Sequence, residues 1–107
     1  MRLPCSGGLW PSLHQITVAN SAGLPFLVSG LTDSFLTKLA VCQLAVAFGH
    51  HGPAALNGSQ FINESRLYPH KPEIEFDATV HLGEQIGIGI QPDRQAVEQF
   101  LAKDMLV

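Results

Sequence analysis

Five histidines, two cysteines and a row of acids are the side chains in this chain that could do chemistry. The histidines are His14, His50, His51, His70 and His81. A zinc site needs Cys, His or carboxylate ligands at recognisable spacing. His50 and His51 are adjacent, so they cannot project from one helix face as a ligand pair. Glu73, Glu75, Asp77 and His81 alternate along one segment and share a face if that segment is a strand. Such a row has the types needed for cation binding or acid–base work, but a solvated strand face looks the same. No Ser, Cys or His sits in a nucleophile motif such as G-x-S-x-G. Gly87-Ile88-Gly89 follows no phosphate-loop pattern. Cys42 falls on an apolar stretch, where a thiol behaves as a small hydrophobe. The residues therefore imply no catalysis, no bound metal and no cofactor, and function is expected to reside in surfaces.

The composition agrees with that expectation. Only 14% of the 107 residues are charged while 46% are hydrophobic, against a usual charged share of about 25%. A surface this poor in charge suggests that part of it is covered. The net charge of −3 and six scattered Lys and Arg lack the basic patch that nucleic-acid binding needs. The longest apolar stretch is interrupted by Lys38 and Gln43 and is too short to span a bilayer. No apolar signal region follows Arg2, and two cysteines suit reduced thiols in a cytoplasmic protein.

The elements that would position these residues follow from periodicity. Residues 14–20 and 24–29 alternate apolar and polar as half-buried strands do. With Ser21-Ala22-Gly23 as the loop, Ile16, Val18, Phe26 and Val28 share a face. Residues 32–48 predict a helix with an N-cap at Thr32 or Asp33. It is apolar on two sides, with Phe35, Leu39, Cys42 and Val46 on one and Val41, Leu44 and Phe48 on the other. Residues 49–72 are rich in turn formers, and Gln60–Tyr68 reads either as a short strand, the preferred reading, or as a helical turn or two. Residues 73–82 and 86–90 predict a second hairpin around Gly83-Glu84-Gln85. Residues 92–105 predict a final helix, with Pro92 and Asp93 at its positive end.

These patterns predict an α+β fold, a profilin-like antiparallel sheet with helices packed on it. Residues 1–11 would be an irregular N-terminal segment, because Pro4, Gly7, Gly8 and Pro11 argue against a helix there. Residues 12–107 would be the single domain. The stretch from His14 to Pro25, His-Gln-Ile-Thr-Val-Ala-Asn-Ser-Ala-Gly-Leu-Pro, resembles the opening hairpin of Roadblock / dynein-light-chain domains. The Gln85–Ile90 segment followed by Pro92–Leu106 looks like the end of such a domain.

That resemblance implies a non-catalytic dimeric scaffold or adaptor, pairing with itself or a homologous chain and serving small-GTPase, transport or signalling complexes. The expected dimer interface is Val41, Leu44 and Phe48. The expected partner-reading residues are His50, His51, Arg66 and Tyr68. A second family fits in part: Ala45-Val46-Ala47-Phe48-Gly49 resembles a helix end of GlcG-like domains, which would imply small-molecule or haem binding.

Overall fold

A computed structural model of the chain describes residues 1–48, 54–56, 61–72 and 79–100. The order of elements is α1 (Leu9–Ser21), β1 (Ser29–Gly30), α2 (Phe35–Ala47), β2 (Ala55–Leu56) and α3 (Arg94–Phe100). The only sheet among the described residues is the parallel pair β1–β2, with Ser29 opposite Ala55 and Gly30 opposite Leu56. Arg2 adds an isolated parallel bridge to Ser29. Among the described residues the architecture is three helices and a minimal parallel ladder, and this corrects the expected profilin-like antiparallel sheet.

The first hairpin is replaced by α1 and its cap. Residues 14–20, expected as a strand, lie inside this helix. Gly8, with φ 103°, is its N-cap residue. Pro11 stands third in the helix. The first four N–H groups of a helix have no intrahelical partner, so a proline there removes nothing that the helix needs. The segment read as irregular therefore contains a helix start. Thr17 Oγ1 donates to the Leu13 carbonyl at 2.9 Å and Ser21 Oγ to that of Thr17 at 2.8 Å, the back-bonding that hydroxyl residues make inside helices.

Gly23 does adopt a left-handed conformation, with φ 65°, but it ends a helix rather than turning a hairpin. Gly23 N donates to the Asn20 carbonyl at 3.1 Å and Leu24 N to that of Ala19 at 2.9 Å. This pair of bonds is a Schellman motif, with the glycine just past the last helical residue and Pro25 following. Of residues 24–29, only Ser29 belongs to a strand, and that strand pairs in parallel.

Helix α2 forms close to where it is expected. Its N-cap is Ser34, whose Oγ accepts from Thr37 N at 3.3 Å, rather than Thr32 or Asp33. Lys38, Leu39, Ala40, Val41, Cys42 and Leu44 are all buried, so this helix is covered on more than one side. The core joins Leu3, Ile16, Val28, Ala40, Val41 and Leu44, with Met1, Leu13, Phe26, Ala45, Phe48 and Leu56 packed against it.

The second hairpin is not formed by its described residues. Residues 79–82 and 86–90 are irregular, and 73–78 lie outside the described residues. Gly87 and Gly89 have φ of 78° and 83°, values that no regular strand adopts. Alternation with isoleucine made them look extended, but glycine readily reverses the chain instead. Gln43 Nε2 donates to the Gly87 carbonyl at 3.0 Å and ties this loop to α2. Residues 61–68 contain turns and no strand. The last helix is seen from Arg94 to Phe100, and residues 101–105 of its expected span lie outside the described residues. Asp93 caps it, its Oδ1 accepting from Ala96 N at 2.9 Å.

Candidate functional site

Two features of the described surface and core bear on function: a charged cluster at the start of α2 and an apolar row on the outside of α1. The cluster begins with Lys38, one turn into α2. Its side chain is only 7% exposed. Burial holds its amine below the ordinary lysine range, nearby Glu64 and Asp33 counteract that, and Lys71 reinforces it. A desolvated lysine is one of the ingredients of an amine nucleophile. Here the neighbouring carboxylates have other employment.

Glu64 Oε2 accepts from the backbone N–H of Phe35 at 2.6 Å. This supplies a partner to one of the unsatisfied donors at the helix N-terminus and places a negative charge at the positive end of the dipole. Asp33 Oδ2 accepts from Leu31 N at 2.7 Å, and its Oδ1 pairs with the Arg2 guanidinium at 3.4 Å. Tyr68 stacks at a tilt on Phe35, with ring centroids 6.1 Å apart, and Lys71 Nζ lies 5.8 Å from the centroid of the same Phe35 ring. Burial, with a smaller contribution from Glu64, pushes the Tyr68 phenol up. The cluster is thus a fastening between segment 61–72 and the start of α2. Sequence reasoning missed Glu64 and the burial of Lys38. A cap reaching from 29 residues away leaves no local signature.

The expected site residues fall in different places. Val41 and Leu44 are 0% and 6% exposed, inside the chain's own core, and Phe48 packs against that core. The cover expected from a second chain comes from Leu3, Ile16 and Val28 of the same one. His50 and His51 lie outside the described residues. Arg66 is exposed, donates to Gln99 Oε1 at 3.0 Å and lies 6.0 Å over the Phe100 ring. Tyr68 is buried and faces Phe35 rather than solvent. Arg66 and Tyr68 therefore share a segment and serve two separate contacts. Of the acidic row, Glu73, Glu75 and Asp77 lie outside the described residues, and His81 is exposed. Among the described residues no three His, Cys, Asp or Glu side chains are grouped to hold a metal.

The apolar row is a consequence of α1 being helical. Trp10, His14 and Val18 are spaced by four and lie on one side, one turn apart. Ser12 and Ile16, both fully buried, lie on the opposite side. Trp10 is 70% exposed and Val18 67%, and the Trp10 and His14 rings lie 5.9 Å apart. Helix α1 contains no Asp, Glu, Lys or Arg. Leu24, just past its end, is also exposed.

Comparison with known proteins gives no matching family model, no similar curated protein and no similar solved structure. No helix among the described residues is long and apolar enough to cross a membrane.

Proposed function

We propose that this chain is a non-catalytic interaction domain that associates with itself, or with a closely similar chain, through the outer face of α1. The observation that carries the reading is the exposed row Trp10–His14–Val18 on a helix free of acidic and basic side chains other than histidine. Contiguous exposed apolar surface on a small domain usually marks a contact surface, and tryptophan is enriched in interface centres. A face without fixed charge meets a copy of itself without repulsion. In this reading a role as a platform for small-GTPase, transport or signalling complexes is held only as a class, a scaffold without chemistry of its own. Both cysteines are free, which supports placing it in a reducing compartment such as the cytoplasm.

Trp10 is the only tryptophan in the chain, so its fluorescence reports directly on that face. Its emission should shift to the blue, and its quenching by iodide should fall, as concentration rises. Sedimentation velocity should show a dimer over the same range. Val18→Asp should abolish both effects with unchanged far-UV circular dichroism. A monomer at the highest soluble concentration would refute self-association, and a dimer that survives Val18→Asp would refute the assignment to α1. Visible absorbance of the same sample, if it revealed a bound chromophore, would favour the haem-binding alternative instead.

A further inference from the structure

We draw no further inference here: the strongest candidate, the buried Lys38 side chain beside Asp33, Glu64 and Lys71 at the start of α2, belongs to the charged cluster already described, where both carboxylates are engaged in capping and bridging contacts and no second observation points to a ligand.

Discussion

Replacing Glu64 with alanine tests whether segment 61–72 is fastened to α2 by one carboxylate. The variant loses a hydrogen bond of 2.6 Å from Phe35 N to Glu64 Oε2 in a part-buried setting. Hydrogen bonds to charged groups contribute about 1.5–3 kcal/mol. A carboxylate at a helix N-terminus adds about 0.3–1 kcal/mol through the dipole. Glu64→Ala should therefore cost about 2–4 kcal/mol, a large share of the roughly 5–15 kcal/mol that holds a typical domain together. Glu64→Gln keeps an acceptor and loses the charge, so it should cost less than half as much. Lys38 supplies the internal control. Its buried amine is partly compensated by the same carboxylate, so Glu64→Ala should cost less in a Lys38→Met background. The coupling between the two sites should fall within the roughly 0.5–3 kcal/mol seen for residues of one network. Urea unfolding followed by far-UV circular dichroism, with an unchanged dependence on denaturant, measures all four proteins of the cycle. A Glu64→Ala variant within about 0.5 kcal/mol of the parent, or strict additivity with Lys38→Met, would refute the fastening.

Three further outcomes follow from buried groups. Ser12 is fully buried and its Oγ has no partner, a state that costs about 1–3 kcal/mol; Ser12→Ala should raise the unfolding midpoint, and a fall would show that the hydroxyl is satisfied in solution. Leu44→Asp places a carboxylate in the core, so it should destabilise by more than about 4 kcal/mol and abolish cooperative thermal unfolding, whereas a folded variant would return Leu44 to the surface. Burial raises the Cys42 thiol above 9.0 and the Tyr68 phenol above 10.0. Above those values the unfolded chain releases protons that the folded one keeps, so these two groups make stability fall as pH rises. Lys38, lowered from 10.5, acts the other way, because there the unfolded chain keeps the proton longer. Stability across alkaline pH, measured by denaturant unfolding, should therefore decline less steeply for Cys42→Ala and more steeply for Lys38→Met than for the parent, and profiles that coincide after normalisation would contradict the burial of these groups.

The parts legible in the sequence are those in which local chemistry and packing agree. Helix α2 is one: the residues through Ala47 have helical spacing and Leu39, Val41, Cys42 and Leu44 of its two apolar sides are buried, although its cap is Ser34 rather than Thr32 or Asp33 and Val46 is exposed. The start of α3 is another: Asp93 stands at its positive end as expected, although as the cap of a helix that begins at Arg94 rather than inside one that begins at Pro92. Helix α1 was not legible as a helix because Ile16, Thr17 and Val18 are β-branched and alternate with smaller or polar neighbours. Intrinsic preference favours a strand there, yet Ser12 and Ile16 one turn apart carry the burial. The stretch Ser21-Ala22-Gly23-Leu24-Pro25 fits a hairpin turn and a helix stop equally well, since each requires a left-handed residue. At Gly87 and Gly89 the alternation described the isoleucines and said nothing of the glycine backbone. The charged cluster was hidden for a different reason: Arg2, Asp33, Lys38 and Glu64 are brought together only by the fold. The exposed row on α1 needed the helix to be recognised first, because a strand would send Trp10, His14 and Val18 to the same face as Ile16.

The short parallel ladder has a consequence for the order in which the chain can assemble. Parallel neighbours cannot be joined by a tight turn, and here Arg2 meets Ser29, which in turn meets Ala55. The hydrogen bonds of helix α1 and of its glycine cap join residues only a few positions apart. The ladder waits twice. Ser29 must emerge before Arg2 has anything to pair with, and Ala55 must emerge before Ser29 is flanked on both sides. Each step closes a long loop at an entropic cost that grows only slowly with loop length. Until the second closure, the apolar sides of α2 lack part of their cover. The growing chain would then pass through an interval of exposed hydrophobic surface, the condition under which nascent chains aggregate or engage chaperones.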